Sequence, residues 1–370
     1  MAVPLLDLRA QHATIKNDVV AALMQVVEQQ TFILGDPVSA LEAQVAALSQ
    51  TTYAVGCANG TDALLLALRA LNVGRDDEVI TTPFTFFATA GTVHNVGARP
   101  VFVDIDPRTF NMVPAAVGAA VTSRTKAVIA VDLFGQMAAI EEIVAAAAGH
   151  PVIEDAAQSI GASRRINGKT VMAGEAAAIG TFSFFPSKNL GGYGDGGMMV
   201  TQDEVLFDTL MKLRTHGSRK TYFHEIVGYN SRLDTLQAAV LLAKLPHLAG
   251  WSAARRQNAA FYDAAFADVA EVTTPYVDPA NTSIYNQYTL RVDRRDALQA
   301  HLKSLGIGHA VYYPLALHLQ PCFAYLGYQE GQCPESERAS REVVSLPVFP
   351  ELTAAQRDEV VAAVRTFYGR

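Results

Sequence analysis

The chain has 370 residues, half of them hydrophobic and 18% charged, and its formal net charge is −7. This composition is typical of a compact protein with enough residues for two domains. The negative charge, without long runs of Lys or Arg, argues against a nucleic-acid partner. The sequence has no run of about eighteen apolar residues, so no membrane span is expected.

The amino-terminal segment, residues 1–35, is expected to form an arm that leads into the first domain. Its start lacks the basic region of a signal peptide, so we expect a cytoplasmic protein. The three cysteines, Cys57, Cys322 and Cys333, suit a reducing compartment. They follow no metal-binding spacing, and we expect no metal site.

Helix signals come next along the chain. Asp36 and Pro37 are typical of the N-cap and first turn of a helix, and they predict one that runs to Leu48. A second, mostly apolar helix is expected to open at Gly60-Thr61-Asp62.

Seven short runs predict strands that are covered on both faces, because they are rich in Val, Ile and Phe and continuously apolar. Their alternation with helical patterns predicts an α/β fold with a mainly parallel, doubly wound sheet of seven strands. Ligands bind at the carboxyl ends of strands in such sheets. The runs are Ala54–Ala58, Glu78–Thr82, Pro100–Asp104, Ala127–Phe134, Pro151–Glu154, Ala178–Phe185 and Gly197–Thr201.

The pattern changes near residue 245 and predicts a smaller α+β domain after it. We therefore expect a large domain of residues 1–245 and a small domain of residues 246–370. Within the small domain, the sequence predicts helices over 246–269, 295–305 and 353–368, and strands over 285–292 and 309–313.

Lys188 lies just past an apolar strand, and five of the seven residues from Gly191 to Gly197 are glycines. Glycines at this density predict a flexible loop. A lone lysine is usually a solvated surface charge, but desolvation at the mouth of a sheet would lower the pKa of this amine and make it a nucleophile. Pyridoxal phosphate needs such an amine for its Schiff base.

Asp155 ends a strand run and offers the carboxylate that pyridoxal phosphate needs at its ring nitrogen. The same residue would also suit the N-cap of a helix. Gln158, one helical turn further on, would lie near the phenolic oxygen of the ring. Glu154 is the competing carboxylate, and the alternation of side chains along a strand directs it to the other face.

A phosphate site is predicted where residues 59–62, Asn-Gly-Thr-Asp, follow a strand and open a helix. Backbone N–H groups and the helix dipole suit a phosphate there, although the same residues also form an ordinary capping sequence. Ser183, five residues before Lys188, would offer its hydroxyl to that phosphate, or would be a buried strand serine.

Phe86 would stack on the cofactor ring, with Phe84 and Phe87 as alternatives in the same aromatic run. Among the nine histidines, His216 and His318 stand out by their context. A structural role is the simpler interpretation of either.

These motifs, in this order and spacing, resemble the DegT-type sugar aminotransferases. The resemblance extends from near residue 4 to the carboxyl terminus. It implies fold type I of the pyridoxal phosphate enzymes, which is aspartate aminotransferase-like, and a homodimer whose subunits share their active sites. The motifs that carry it lie at residues 59–64, 85–90, 154–159, 183–188 and 230–239.

The resemblance implies a role for each candidate residue. Lys188 is the Schiff-base lysine and the general acid/base. Asn230 and Arg232 would reach in from the partner subunit, Asn230 to the cofactor and Arg232 to the carboxylate of glutamate or of a uronic acid. Tyr313 and His318 would contact the substrate. The other implied cofactor contacts are Gly60, Thr61 and Ser183 at the phosphate, Asp155 at the ring nitrogen, Gln158 at the ring oxygen and Phe86 at the ring face.

The implied function is transfer of the amino group of glutamate to a nucleotide-linked keto sugar, with release of 2-oxoglutarate. The chain most resembles bacterial enzymes that aminate C3 of UDP-linked 2-acetamido-3-keto-glucuronic acid for surface polysaccharides such as the O-antigen of lipopolysaccharide. Tyr312-Tyr313-Pro314 departs from the His-Tyr-Pro of many relatives, which affects the sugar assignment and not the cofactor. Relatives with histidine in place of the lysine act as dehydrases, so Lys188 favours transamination.

Two other functions remain open. One is amination of a dTDP-keto-deoxyhexose at C3 or C4, because pocket shape and loops set the nucleotide and the sugar carbon. An uncharged deoxysugar would leave a uronate-binding arginine unpaired, but the carboxylate of glutamate explains Arg232 equally well. The other is a non-catalytic regulator that keeps the cofactor as a sensor, against which stand the acidic charge and the full set of catalytic groups.

Overall fold

The computed structural model describes residues 3–370, so the first two residues of the predicted arm lie outside the described part. Its strands are β1 (Tyr53–Cys57), β2 (Glu78–Thr81), β3 (Arg99–Phe102), β4 (Thr125–Val131), β5 (Val152–Asp155), β6 (Ser163–Ile166), β7 (Lys169–Met172), β8 (Ile179–Ser183), β9 (Gly197–Thr201), β10 (Ser218–Lys220), β11 (Phe223–His224), β12 (Val272–Thr273), β13 (Asn281–Thr282), β14 (Tyr288–Val292) and β15 (Val343–Leu346).

Within the described residues, twelve α-helices surround these strands, together with short 3-10 turns. They are α1 (Leu8–Gln29), α2 (Asp36–Leu48), α3 (Gly60–Ala70), α4 (Ala88–Asn95), α5 (Pro114–Ala120), α6 (Ile140–Ala146), α7 (Glu204–Leu213), α8 (Thr235–Lys244), α9 (Leu248–Phe266), α10 (Arg295–Ser304), α11 (Pro334–Glu342) and α12 (Ala354–Phe367). Within residues 3–370, no helix combines the length and the apolar character that a membrane crossing requires.

The central sheet has seven strands in the order β1-β9-β8-β5-β4-β2-β3, and each one overlaps a predicted apolar run. The pairs from β8 to β3 are parallel, whereas β9 runs antiparallel to both of its neighbours. Asp155 of β5 lies between Val131 of β4 and Thr181 of β8. The carboxyl ends of these three strands therefore meet at one edge of the sheet.

Helices cover both faces of this sheet. One face packs against α3, α4 and α7, over a core that contains Leu66 and Ile129. The other packs against α2, α6 and α8, over a core that contains Leu41, Val128 and Phe182. Burial on both faces accounts for the continuous apolar runs and confirms the predicted doubly wound α/β class.

The amino-terminal arm is largely helical. Its helix α1 packs against α8 through an apolar cluster of Ile15, Val19 and Val240. The next helix, α2, has Gly35 as its N-cap, with φ of 88°. The prediction of Asp36 as that cap was wrong by one residue, because a glycine tolerates this positive φ and Asp36 lies in the first turn.

A hairpin of β6 and β7, extended by β13, is absent from the predicted elements. Its turn residues Asn167 and Gly168 have φ of 50° and 81°. Both values are those of a tight turn that joins two antiparallel strands.

The carboxyl-terminal region packs around an antiparallel sheet, β12-β14-β15, with a core of Tyr262, Tyr288, Val344 and Val364. Its first helix, α9, starts after the 3-10 turn Leu245–His247, which contains the predicted domain boundary. That boundary stays a prediction. The helices α9, α10 and α12 lie where the sequence predicts them.

The predicted strand over 309–313 was wrong. The strands that pair with β14 are β12 and β15, and residue Ala310 contributes a single bridge to Ser345. Beyond Ala310 the chain crosses to the edge of the large sheet, where Tyr312 and Tyr313 pack against an aromatic cluster that contains Phe84. Tertiary packing, not strand pairing, satisfies the apolar side chains of this segment. The strand predicted over 285–292 begins at Tyr288.

Candidate active site

The predicted lysine and its predicted acidic partner lie together at the carboxyl edge of the sheet. Asp155 ends β5, and Lys188 lies in the turn after β8, where its backbone N–H donates to the carbonyl of Phe185 at 2.9 Å. Burial lowers the pKa of Lys188 to about 8, while the negative charge of Asp155 acts in the opposite direction. Roughly a tenth of such an amine is neutral at pH 7, which makes it an available nucleophile.

The carboxylate of Asp155 is buried and held by donors from two elements. Thr89 Oγ1, in α4, donates to its Oδ2 at 2.8 Å, and the N–H of Ala157 donates to its Oδ1 at 3.3 Å. Burial raises the pKa of Asp155, and these donors oppose the rise together with the charge of Lys188. Thr89 was missed as a site residue, although it lies within the motif 85–90 that opens the helix after β2.

Gln158 is buried beside Asp155 and uses both ends of its amide. Its Oε1 accepts from the N–H of Phe134 at 2.7 Å, and its Nε2 donates to the hydroxyl of Tyr313 at 3.2 Å. Burial raises the pKa of Tyr313, so this phenol stays protonated. Tyr313, predicted as a substrate contact, is therefore hydrogen-bonded to Gln158, the residue predicted to lie at the ring oxygen.

The predicted phosphate contacts lie where β8 meets the start of α3. Asn59 caps this helix, its Oδ1 accepting from the N–H of Asp62 at 2.8 Å, so the N–H groups of Gly60 and Thr61 belong to the unbonded first turn. A β-carbon placed on Gly60 would lie 2.6 Å from Cβ of Ser183. Glycine is thus required for this approach, which sets the serine hydroxyl beside the helix terminus.

The three phenylalanines after β2 have different environments. Phe84 is fully buried and stacks on Phe110, with ring centroids 5.8 Å apart. Phe87 stacks on Phe323. Phe86 is 58% exposed, and its ring lies 6.5 Å from that of Tyr313. Of the three, Phe86 is the most exposed and lies beside Tyr313, and its role as the stacking residue stays a prediction.

Asn230 and Arg232 lie together, but apart from the contacts just described. Nη2 of Arg232 donates to Oδ1 of the exposed Asn230 at 2.6 Å. Between them, Ser231 donates to Asp62 of α3 at 2.6 Å and accepts from the N–H of Ala58 at 3.3 Å. The backbone of this segment is thereby fixed to the helix that opens the phosphate site, and the two flanking side chains face outward.

His318 is not brought to the other predicted residues. Its side chain is buried, and its Nε2 lies 3.1 Å from Oε1 of Glu337. Its ring packs against Phe102 and Tyr328. This environment does not support the predicted substrate contact, because a buried imidazole paired to a buried carboxylate has a structural role. The partner, nineteen residues further on, could not be inferred from the sequence.

The glycine-rich loop after Lys188 is anchored, which corrects the expectation of flexibility. Gln237 of α8 accepts from the N–H of Tyr193 at 2.8 Å, and the N–H of Gly192 donates to Phe184 at 2.8 Å. A β-carbon on Gly191 would collide with the carbonyl of Pro186. The glycines permit close backbone approach here, and their effect is a tight loop.

Glu154 lies on the opposite face of β5, as strand alternation predicts. It is fully buried, and its carboxyl group lies within hydrogen-bonding reach of the carboxyl group of Asp132. Burial and the negative charge of nearby Asp132 raise the pKa of Glu154 well above its ordinary value. The raised pKa favours the neutral acid, and the side chain points away from the site, so Glu154 is not placed to serve the cofactor.

The residues at this edge fit pyridoxal phosphate. Lys188 offers the amine, Asp155 the carboxylate for the ring nitrogen, and Phe86 an exposed ring face. The open first turn of α3 and the hydroxyl of Ser183 offer donors for the phosphate. The set thus offers partners for the aldehyde carbon, the ring nitrogen, the ring face and the phosphate of the cofactor.

Among curated proteins, the chain is 52% identical to the "Pleiotropic regulatory protein" of Geobacillus stearothermophilus, covering 100% of this chain and 99% of that one. It is 46% identical to a UDP-N-acetyl-3-dehydro-α-D-glucosamine 3-aminotransferase of Acidithiobacillus ferrooxidans, covering 100% and 98%. It is 45% identical to the UDP-2-acetamido-2-deoxy-3-oxo-D-glucuronate aminotransferase of Pseudomonas aeruginosa, covering 97% and 98%.

Among solved structures, S. venezuelae DesV in complex with a ketimine intermediate aligns with a TM-score of 0.96 at 39% identity, covering 100% of this chain and 99% of that one. This likeness confirms the predicted fold, and the predicted enzyme class and pyridoxal phosphate cofactor are confirmed with it. Residues 13–365 match the DegT/DnrJ/EryC1/StrS aminotransferase family. The chain therefore belongs to that family of aminotransferases.

Proposed function

We propose that this aminotransferase moves the amino group of glutamate to C3 of UDP-linked 2-acetamido-3-keto-2-deoxy-glucuronic acid, in the synthesis of a surface polysaccharide. The observation that carries the catalytic part is that Lys188 and Asp155 lie at one edge of the sheet, near enough for the charge of each to act on the pKa of the other. The sugar rests on the relatives from A. ferrooxidans and P. aeruginosa, both of which act on UDP-linked 3-keto sugars.

The pairing assigns distinct work to the two side chains. When bound, pyridoxal phosphate supplies an electron-poor ring that stabilises negative charge at the carbon bearing the amino group. Asp155 would hold the proton of the ring nitrogen, with Thr89 fixing its Oδ2 at 2.8 Å. Nζ of Lys188, with its pKa lowered to about 8, would take the proton from the α-carbon of glutamate and deliver one to C3 of the sugar.

Arg232 supports a substrate with a carboxylate. Its side chain is partly exposed, and within residues 3–370 the guanidinium makes one hydrogen bond, to Asn230. The remaining N–H groups form a fork that suits a carboxylate, either of glutamate or of the uronic acid. The two UDP-sugar relatives differ in this respect, since one is named for a glucuronate and the other for a glucosamine.

A homodimer with shared active sites is part of the proposal. The segment before Asn230 carries large apolar side chains in water, with Tyr222 89% exposed and Val227 85% exposed. Phe223 and Phe185 are also exposed. A second copy of the chain over this surface would bury them and would bring its own Asn230 and Arg232 toward the site.

Localisation in the cytoplasm completes the proposal. Cys57, Cys322 and Cys333 are all free thiols, which suits a reducing compartment.

Two alternatives compete with this assignment. A dTDP-linked keto-deoxyhexose would use the same catalytic pair with a different sugar pocket, where Tyr312 stands in place of the histidine of many relatives. A regulator that binds the cofactor without turnover is the second, and the name of the G. stearothermophilus relative favours it. The intact pair of Lys188 and Asp155 argues for catalysis.

The catalytic part is tested by Lys188→Ala. The purified wild-type protein, loaded with pyridoxal phosphate, should show the visible absorption band of the lysine-bound cofactor and lose it with excess glutamate. Lys188→Ala should lack the band and all transfer activity. Borohydride trapping followed by peptide mapping identifies the lysine, and a reduced adduct on another residue would contradict the assignment.

The sugar is tested by running the reaction backwards, from a panel of UDP- and dTDP-linked amino sugars with 2-oxoglutarate. The 3-amino glucuronate should react fastest, and Arg232→Lys should slow it more than the uncharged 3-amino glucosamine. Fastest reaction with a dTDP-sugar would support the first alternative. Loss of the band with glutamate but no reaction with any sugar would leave the proposed substrate class wrong.

The shared site is tested by mixing two inactive variants, Lys188→Ala and Asn230→Ala/Arg232→Ala. If each site takes residues from both subunits, mixed dimers regain one complete site, and a random mixture recovers about a quarter of wild-type activity. No recovery, with exchange of subunits demonstrated by mass spectrometry, would place each site within one chain.

A further inference from the structure

The residue after Lys188 is buried and bonded to a distant part of the chain. Nδ2 of Asn189 donates to the carbonyl of Ile284 at 3.1 Å, and its Oδ1 accepts from Nδ2 of Asn286 at 2.8 Å. Asn189 and Asn286 are both at least nine-tenths buried. Because Asn189 shares a peptide bond with Lys188, these contacts fix the backbone from which the lysine side chain extends.

The segment 283–287, which supplies these partners, is itself rigidly held. The N–H of Ile284 donates to the carbonyl of Gly135 at 2.9 Å, and the hydroxyl of Ser283 donates to the same oxygen at 3.1 Å. The buried guanidinium of Arg255, in α9, donates to the carbonyls of Tyr285 and Asn286 at 3.0 and 3.3 Å. The position of Asn286 is therefore set by both the large sheet and the carboxyl-terminal region.

A second buried cation holds the same loop two residues further on. Nζ of Lys244, at the end of α8, donates to the carbonyl of Gly191 at 2.6 Å, and its side chain is fully buried. The half-buried carboxylate of Glu351 attracts both Lys244 and Arg255. Residues of α8, α9 and the segment after Phe349 thus converge behind the lysine turn.

We propose that Asn189 and Asn286 are a positioning pair for Lys188, through which the carboxyl-terminal region fixes the direction and the solvation of the lysine amine. The proposal rests on the proposed role of Lys188. A buried amide pair suits this task, because an unpaired buried amide is costly and the two groups satisfy each other in one geometry. Loss of either partner would loosen the turn and admit water to the amine.

The test uses the full chain freed of cofactor and has two readouts. Hydrogen exchange reports the opening of residues 187–193, and pulse acylation with acetic anhydride across pH, followed by peptide mapping, gives the titration midpoint of Lys188. The variants are Asn286→Ala, Asn189→Ala and the double variant. The matched control is Asn258→Ala, a buried amide that donates to Phe349 at 2.9 Å and accepts from Arg357 at 3.2 Å, and whose side chain makes no hydrogen bond to residues 187–193.

In Asn286→Ala, exchange of residues 187–193 should accelerate about tenfold, as expected for the loss of one buried hydrogen bond. The titration midpoint of Lys188 should move from about 8 toward the ordinary value for lysine. The double variant should add little to Asn189→Ala, because that single variant already removes the bond to Asn286 together with the bond to Ile284. In Asn258→Ala both readouts should stay at the wild-type values.

Unchanged exchange and an unchanged midpoint in Asn286→Ala would overturn the proposal. Equal changes in Asn286→Ala and Asn258→Ala would also overturn it, since they would report general loosening. If Asn286→Ala fails to fold, Asn286→Ser, which keeps a short polar group, is measured in the same way. The exchange readout does not require the lysine to be reactive, so failure of the proposed function, detected by borohydride trapping elsewhere, remains distinguishable.

Discussion

Asp155 and Glu154 are adjacent carboxyl groups on β5, both buried, and they face opposite sides of the sheet. Asp155 faces the site, where Thr89 and Ala157 donate to it and Lys188 attracts it. Glu154 faces the apolar core, where its nearest charged neighbour is a second buried acid, Asp132, which raises the pKa of Glu154 further. Donors and a nearby cation, more than burial, separate a carboxylate that can work with a cofactor from one that stays a neutral acid.

The largest test of this contrast is activity. Asp155→Asn removes the group that would hold the ring proton and should lower the transfer rate by roughly 10²- to 10³-fold, as loss of a preorganised charge does in other active sites. Glu154→Gln replaces one neutral buried group by another of the same shape and should change the rate less than about twofold. Steady-state kinetics of both variants, with cofactor content measured, decide the matter. Comparable losses of transfer rate in the two variants would contradict the different roles assigned to the two faces of β5.

The pH dependence of folding stability tests the environment of Glu154. Because the pKa of Glu154 is raised in the folded protein, folding binds a proton once the unfolded glutamate ionises, and stability falls as pH rises above the ordinary glutamate pKa. Glu154→Gln removes this dependence. Above pH 4.5, the free energy of unfolding of the variant should exceed that of the wild type, and the difference should grow by up to about 1.4 kcal/mol per pH unit.

Urea denaturation at several pH values between 4 and 8 measures this difference. Asp132, whose pKa burial raises to about 6, titrates in the same interval, so Asp132→Asn serves as the second variant. If the free energies of unfolding of the wild type and Glu154→Gln change with pH in the same way, Glu154 is ionised in the folded protein.

Thr89 tests the donors on the active face. Thr89→Val keeps the shape of the side chain and removes the hydroxyl that donates to Asp155 at 2.8 Å. A hydrogen bond to a charged group contributes about 1.5–3 kcal/mol, so the rate should fall roughly tenfold or somewhat more. Thr85→Val, which removes the hydroxyl 3.0 Å behind Thr89, should have a smaller effect. If Thr89→Val behaves as wild type, the backbone N–H of Ala157 suffices.

The same contrast shows what the sequence could predict. The seven sheet strands were predictable because burial on both faces leaves continuous apolar runs. Asp155 and Lys188 were predictable because they follow such runs, at the edge where ligands bind. The hairpin β6–β7 was missed although the sequence carries its signal, an Asn167-Gly168 turn.

Other features depend on tertiary contacts that no local pattern contains. Residues 309–313 have the β-branched and aromatic composition of a strand, yet they pack against the aromatic cluster around Phe84. His318 has a buried partner, Glu337, on a different helix. The bond between Asn189 and Asn286 joins residues 97 positions apart. Contacts of this kind are set by the fold as a whole.

The smallest expected effect concerns the pH at which Lys188 becomes reactive. Burial lowers its pKa to about 8, and the charge of Asp155 limits that fall. Asp155→Asn should therefore move the titration midpoint of Lys188 below 8, and a midpoint lower by one pH unit would raise the fraction of neutral amine at pH 7 from roughly a tenth to about half. Glu154→Gln should leave the midpoint where it is, because Glu154 lies on the other face of β5 and the charge that acts on the pKa of Lys188 is that of Asp155.

Pulse acylation of the cofactor-free protein between pH 6 and 10, mapped to Lys188, measures both midpoints without any need for catalysis. A lower midpoint in Asp155→Asn alone would show that the amine senses one face of β5. An equal change in Glu154→Gln would require an ionised Glu154, and the contrast between the two carboxyl groups would then fail on electrostatic grounds. Because the readout is independent of turnover, it separates the charge on Asp155 from its role toward the cofactor.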